Sequence, residues 1–520
     1  MNFFHYMSMK TIKVIRILFF TIALIVFSNC NEDDISSNSN AELVTIGDND
    51  YRPDFHFTPQ EKWMNDPNGM VYYAGEYHLF YQHNPNANIW GPMHWGHAVS
   101  TDLVNWQQLP IALYPDNLGN IFSGSIVVDA NNTSGFKTGS ESPLVAIFTH
   151  QNPANNKQTQ SLAYSNDKGR TWTKYENNPV LVNNDKADFR DPKVSWHEGT
   201  QKWVMSLAAG DEIMFYTSTN LKNWEYKNSF GKNVGAHGGV WECPDLFKIE
   251  DENGQETWAL LVSINPGGPN GGSGTQYFLG DFEGESFTSS QTETLWLDYG
   301  TDNYAGVTWS NEPNNRNLFM GWMSNWSYAQ NVPTYSYRSA MTFPRTLHWQ
   351  NSNGKSIIIS KLPTEIIYAI GGKIVENNNA ANRFELLNDE TLRGGKFYLE
   401  TTLDFSDINE AKIEWGNKSS SVVINYNKIN GELILNRQES GYYFNNLNSN
   451  IIKCPYVLPV SNQLKINMLV DKSSMEIFLN NGERSVTALV FPLAPFKSLE
   501  ITANEEIQFI KQIKINKLTE

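Results

Sequence analysis

Three short segments of this chain repeat one another, and that repetition limits the folds open to it. Ser100-Thr101-Asp102-Leu103-Val104-Asn105-Trp106 recurs as Ser165-Asn166-Asp167-Lys168-Gly169-Arg170-Thr171-Trp172 and again as Ser218-Thr219-Asn220-Leu221-Lys222-Asn223-Trp224. Each copy follows a strand-like run, passes through an Asp/Asn turn and reaches a Trp that opens the next run. Trp106, Trp172 and Trp224 lie 66 and 52 residues apart, intervals that suit four-stranded blades with variable loops. From Tyr51 to about Thr346 the chain reads as short strands and turns, with no sustained helical period. The reading is an all-β fold, a β-propeller of about five blades over residues 51–346. A sandwich with coincidental turns is the alternative.

Beyond this region the texture changes. Phe343-Pro344-Arg345 to about Tyr368 reads as a connector, placed at 347–370. From Gly371 Trp becomes rare and alternating strands such as Lys396–Leu403 and Gln463–Val470 take over. Residues 371–520 are therefore expected to form a C-terminal β-sandwich.

The N-terminus is a targeting segment rather than fold. Lys10, Lys13 and Arg16 precede the apolar run Ile17–Phe27, which is too short to span a bilayer as a helix. The run ends at Phe27-Ser28-Asn29-Cys30, which resembles a bacterial lipoprotein signal with Cys30 as the lipidated residue, although Phe27 and Asn29 depart from the usual pattern. Asn31-Glu32-Asp33-Asp34 resembles an acidic tag for the outer face of the outer membrane. Residues 1–30 are thus read as a signal peptide and 31–50 as a flexible tether. An outer-membrane, cell-surface lipoprotein is the expectation; a periplasmic or secreted protein is the alternative. Only Cys243 and Cys454 remain in the body, so no disulfide framework is expected.

With 39 Lys+Arg against 55 Asp+Glu, the net charge of −16 argues against nucleic acid as a partner and fits a neutral substrate. Aromatic residues make up 13% of the chain, a supply of flat rings suited to sugar stacking as well as to β cores. Three carboxylates sit in unusual surroundings: Asp66 in Trp63-Met64-Asn65-Asp66-Pro67-Asn68-Gly69, Asp191 in Phe189-Arg190-Asp191-Pro192, and Glu242 in Trp241-Glu242-Cys243-Pro244-Asp245. Each is read as the end of a β-like run. Inner strands of a propeller converge on one end of its axis, so acids from different blades can share a pocket, and glycoside hydrolysis needs such a group. Taken singly, each has an ordinary reading too: an Asp-Pro-Asn-Gly turn, an Arg190–Asp191 ion pair, a plain strand end.

Together these motifs resemble glycoside hydrolase family 32, the retaining fructosidases. The resemblance extends through Arg52-Pro53, His56-Phe57-Thr58-Pro59, His94-Trp95-Gly96-His97 and Phe122-Ser123-Gly124-Ser125, and in the second domain through Ser473–Glu483 and Phe491-Pro492. It implies a five-bladed propeller followed by a β-sandwich, and a β-fructosidase acting on levan or inulin. It also implies roles: Asp66 the nucleophile, Glu242 the acid/base, and Asp191 a transition-state stabiliser that binds fructose hydroxyls. Asn65, Gln82, Trp90, Ser123 and Arg190 would contact the sugar, Trp63 and Phe122 would wall the pocket, and Asp302, Tyr304 and Trp322 would add to it.

No metal or organic cofactor is implied. His94 and His97 are expected in the core, since their spacing specifies a metal poorly. The partners expected are a fructan or fructo-oligosaccharide and, through lipid, a membrane; the chain is expected to be a monomer. An endo-acting levanase, a sucrose-specific invertase, a transfructosylase and a non-catalytic fructan-binding lipoprotein are the alternatives. A retaining mechanism predicts the Asp66 and Glu242 carboxyls about 5–5.5 Å apart, against about 8 Å for an inverting one, a separation readable in a crystal structure.

Overall fold

A strand-rich chain must cover its sheet edges and bury one face of each sheet, and this one does so with two kinds of sheet. The computed structural model describes residues 51–518, apart from 183–184, 353, 394 and 445–449. The signal segment, the Cys30 lipidation site and the tether therefore lie outside the described residues. Among residues 52–518 that are described, α-helix is confined to Thr364–Ala369.

Five antiparallel sheets follow one another along residues 62–361, each beginning with its innermost strand. These are β1 (Lys62–Tyr73), β2 (Asn120–Val128), β3 (Arg190–His197), β4 (Val240–Glu250) and β5 (Tyr304–Thr308). The inner strands pack in a ring, β1 on β2, β2 on β3, β3 on β4, β4 on β5, and β5 back on β1. Closure uses a late segment: Tyr337–Arg338 pairs in parallel with Lys62–Trp63 at the edge of the first sheet. The backbone of Ser310 also bonds to Met70 and Tyr72, fastening β5 to β1.

The three repeated turns each link the third strand of a sheet to the fourth. In every copy the indole N–H donates to the carbonyl three residues earlier: Trp106 to Leu103, Trp172 to Gly169 and Trp224 to Leu221. The accepting residue has φ between +63° and +78°, and its N–H is bonded to the hydroxyl of the opening Ser in the first two copies. The repeat is a structural staple at the rim of three sheets.

Two expectations need correction. Residues 347–361 are not a connector. Arg345–Ser352 and Lys355–Lys361 form a hairpin that docks on Asn317–Met323 as the outer part of the fifth sheet. The buried β-branched run Ile357-Ile358-Ile359 makes it a strand, and only Leu362 to Ala369 bridge to the next strand. Nor do the three acids end strands: Asp66 lies inside β1, while Asp191 and Glu242 stand near the starts of β3 and β4.

The C-terminal part consists of two six-stranded sheets. Their strands alternate buried and half-exposed residues, as in Ser421–Asn427, so each sheet turns one face to a shared core that includes Phe397, Trp415, Ile424 and Ile477. Cys243 and Cys454 are separate buried thiols.

Where the ring meets the sandwich, the contact is charged and dry. His56 Nδ1 lies 2.9 Å from Asp471 and its Nε2 lies 3.0 Å from Glu476. Arg345 binds both Glu476 and Asp298, all essentially fully buried. Burial alone would lower the His56 pKa, but its two carboxylate partners raise it to about 9. Burial alone would raise that of Glu476, but the Arg345 charge and the His56 bond pull it down to about 2.

The signs fix the pH window. The stabilisation from His56 is complete below pH 6.5 and is lost as pH rises through about 9; that from Glu476 is complete above pH 4.5 and is lost as pH falls toward about 2. Thermal melting should therefore be highest between pH 4.5 and 6.5 as far as this junction sets it. His56→Ala should cost about 3–5 kcal/mol and flatten the alkaline fall, checked by calorimetry across pH.

Candidate active site

In a regular strand, neighbouring side chains point to opposite faces, so two adjacent residues cannot both face the ring axis. All five inner strands break this rule at the same depth. The pairing slips by one residue between Met64 and Pro67, Ile121 and Gly124, Arg190 and Lys193, Glu242 and Asp245, and Tyr304 and Val307. Each slip is a bulge, the device that re-aims side chains beside functional sites. Asp191, Cys243 and Ala305, the first residues inside three of these bulges, adopt φ of 64°, 46° and 54°. The prolines fit for the same reason: Pro192 and Pro244 lie where the ladder is broken, so their missing N–H groups leave no bond unmade.

The bulges bring the three acids together. Asp66 accepts a hydrogen bond from Asn65 Nδ2 at 2.9 Å on one oxygen and from Ser123 Oγ at 2.9 Å on the other. Asn65 is itself aimed by the Trp63 indole N–H, 2.7 Å from its amide oxygen. Glu242 is gripped on both sides: Arg190 donates to Oε1 through Nη2 at 2.9 Å, and the Tyr304 hydroxyl donates to Oε2. Asp191 accepts from the Cys243 N–H at 3.1 Å. The Cys243 thiol stands 3.6 Å from both Asp66 Oδ2 and Asp191 Oδ2, so it sits between the two carboxylates.

Such crowding carries an electrostatic cost. Burial raises the pKa of Asp66, the charge of Glu242 raises it further, and the bonds from Asn65 and Ser123 act the other way. Asp191 is pushed up to about 7, by burial first and then by Glu242 and Asp66, against the opposing pull of Arg190. The Cys243 thiol is held well above its usual range by burial and the surrounding carboxylates, so it is a neutral hydrogen-bond donor and not a nucleophile. The arrangement offers an ionisable carboxylate set by two donors, a second carboxyl held by a cation and a phenol, and a third that shares the charge.

The Glycosyl hydrolases family 32 N-terminal domain matches residues 56–360, and the family 32 C-terminal domain matches residues 369–517. The chain belongs to glycosyl hydrolase family 32. Among relatives of this family 32 glycosidase, a levanase of Bacillus subtilis is 47% identical over 483 residues, covering 91% of this chain and 71% of the levanase. An extracellular exo-inulinase of Aspergillus niger is 38% identical over 488 residues, 86% of this chain and 90% of its own length. Among solved structures, the exo-inulinase from Aspergillus awamori superposes with a TM-score of 0.84 at 33% identity, covering 90% of this chain and 98% of that one. The fructofuranosidase from Schwanniomyces occidentalis complexed with fructose gives 0.82 at 33% identity, over 92% of this chain and 100% of that one.

The other residues singled out in this family 32 chain fall into three groups. Phe122 is half-buried and meets the exposed Trp90 edge-on, with ring centres 6.0 Å apart, beside Ser123. Trp63 and Trp322 are wholly buried; they pack together with Trp326 behind Asn65 and supply support rather than open wall. Gln82 is also buried, and it holds Asn68, whose amide donates to the Asp66 carbonyl. Asp302 belongs elsewhere. Its carboxylate is fully buried against Arg437, Thr301, Tyr328 and the Leu489 N–H, at the junction with the sandwich, and the bulge of β5 turns Tyr304 alone toward Glu242. His97 is stacked on His78 with 3.0 Å between ring nitrogens. Among the described residues no group of three His, Cys, Asp or Glu side chains is placed to hold a metal.

Asn68, Trp326 and the Cys243 contact were not foreseen. Asn68 lies within the heptapeptide and was open to notice; the partners of Trp326 depend on a loop whose course no local pattern specifies. The charge coupling gives a prediction. Glu242→Gln leaves a side chain that cannot ionise where the charge of Glu242 raises both neighbours, so Asp66 and Asp191 should both titrate at lower pH. Carboxyl carbon NMR of aspartate-labelled enzyme would read the shift.

Proposed function

We propose that this chain is a retaining β-fructosidase that cleaves β-D-fructofuranosyl linkages in fructans. The carrying observation is the meeting of Asp66, Asp191 and Glu242 at the bulges of three inner strands, with a thiol 3.6 Å from two of them. The five sheets and their closed ring support a five-bladed propeller over residues 51–361, followed by a β-sandwich from about 371. The levanase and exo-inulinase relatives support levan or inulin as the substrate class.

In this reading Asp66 attacks C2 of the terminal fructosyl unit. The bonds from Asn65 and Ser123 keep its carboxylate ionised and oriented despite burial. Glu242 gives its proton to the leaving oxygen, and then, as a carboxylate, takes one from water that hydrolyses the fructosyl-enzyme. Arg190 and Tyr304 hold it through both roles. Asp191 binds fructose hydroxyls, and its negative charge stabilises the oxocarbenium-like transition state at C2. Trp90 and Phe122 line the open side. Extracellular work fits the secreted relatives, and Cys30 would carry a lipid anchor holding a monomer at the cell surface.

Product analysis is the decisive measurement. The protein lacking residues 1–30, incubated with levan, inulin and sucrose separately, should release fructose from a fructan as its first product. A ladder of oligosaccharides would mean endo attack, cleavage of sucrose alone would mean an invertase, and binding without any product would overturn the enzymatic reading. Asp66→Asn should form no fructosyl-enzyme detectable by mass spectrometry. Glu242→Gln should lose about 10²–10⁴-fold in rate on substrates with poor leaving groups.

A further inference from the structure

Directly below the acids lies a second charged group that the chemistry above does not use. Lys193, Asp245 and Thr308 stand just past the bulges of β3, β4 and β5, which carry Arg190 and Asp191, Glu242, and Tyr304. The Lys193 ammonium donates to Asp245 Oδ2 at 3.1 Å and to the Thr308 carbonyl at 2.7 Å. The same Asp245 oxygen accepts from the Thr308 N–H at 2.6 Å and from its hydroxyl at 2.8 Å. Three strands are thus joined at one point. On the neighbouring side, Ser125 of β2 donates to the Pro192 carbonyl at 2.8 Å and accepts from the Val194 N–H at 3.0 Å, which ties β2 to β3 on either side of Lys193.

Stability is a poor explanation for this group. Asp245 is fully buried, and its second oxygen has no hydrogen-bond partner among the described residues. Taking an ion pair out of water costs about as much as it returns, and well-packed apolar side chains often serve as well. What the pair supplies that apolar residues would not is register. A bulge interrupts the ladder bonds that set the height of one strand against its neighbours, and here adjoining inner strands are interrupted side by side. A directional contact just past each interruption restores that height.

We propose that Lys193 and Asp245 are positioning residues for the hydrolysis, clamping the bulges of β3, β4 and β5 so that Asp191, Glu242 and Tyr304 meet the substrate at one level. This rests on the β-fructosidase reading, which predicts a parent enzyme active on fructan. Neither residue touches the sugar; each acts through the strands that carry the acids. Misplacement of the acid by about 1 Å is enough to cost about 10²-fold in rate.

The test compares parent, Lys193→Met, Asp245→Asn and the double variant, with kcat and KM measured on sucrose and on an aryl fructoside whose leaving group needs little protonation. Asp245→Asn retains the size and the acceptor for Thr308 and leaves no unpaired carboxylate, so it carries the test if Lys193→Met fails to fold. The expected result is a fall in kcat of about 10–100-fold with KM nearly unchanged. The loss should be larger on sucrose than on the aryl fructoside, and the double variant should be no worse than the poorer single one. Folded Asp245→Asn with parental kcat on both substrates and only a lower melting temperature would overturn the clamp. A parent that releases nothing from levan, inulin, sucrose or the aryl fructoside would instead overturn the fructosidase reading.

Discussion

A pleated strand shows every second side chain to each face, and an enzyme that needs several acids at one point on an axis must defeat that alternation. Here five strands do so at one depth, each by a single extra residue. Asn65 and Asp66 are neighbours in sequence, yet the carboxylate of one is bonded by the amide of the other. Arg190 and Asp191 are also neighbours, and both face Glu242 or its adjoining thiol. The same slip explains why prolines crowd these segments and why Asp191, Cys243 and Ala305 accept a left-handed backbone.

The pocket so formed concentrates negative charge, and its chemistry is the management of that charge. One guanidinium serves two of the three carboxyls: it binds Glu242 directly and opposes the rise in the Asp191 pKa. Neutral donors do the rest, with an amide and a hydroxyl on Asp66, a phenol on Glu242 and a backbone N–H on Asp191. Fixed donors of this kind need no reorganisation when charge moves during reaction. Beneath them the Lys193–Asp245 pair is separate, bonded within itself and to Thr308 through one carboxylate oxygen only.

Much of this was legible because it rests on local chemistry. The Ser-to-Trp turns announced the sheets, since the left-handed residue and the indole bond both lie within seven or eight residues. Asp66, Asp191 and Glu242 were visible from their company of Trp, Arg, Cys and Pro. Asp302 misled because it is only two residues from Tyr304; that separation ordinarily keeps two side chains on one face, but Asp302 precedes β5 and turns toward Arg437 of the sandwich. The Arg345–Lys361 hairpin was hidden by its polar ends, although Ile357–Ile359 carried the strand signal. Nothing local marked the bulges as five of a kind, since a slip is a relation between two strands.

The closure of the ring has a consequence for how the molecule is made. The strand bearing Asp66 is among the first to be synthesised, but its edge is completed by Tyr337–Arg338 and its flank by Ser310. Contacts between such distant parts of the chain form late, after the intervening segments have collapsed. A nascent chain emerging from a ribosome or a translocation channel therefore holds an incomplete first sheet until most of the polypeptide has followed. Truncated products would lack the latch as well as the last sheet, so catalytic competence itself reports that the ring has been fully synthesised.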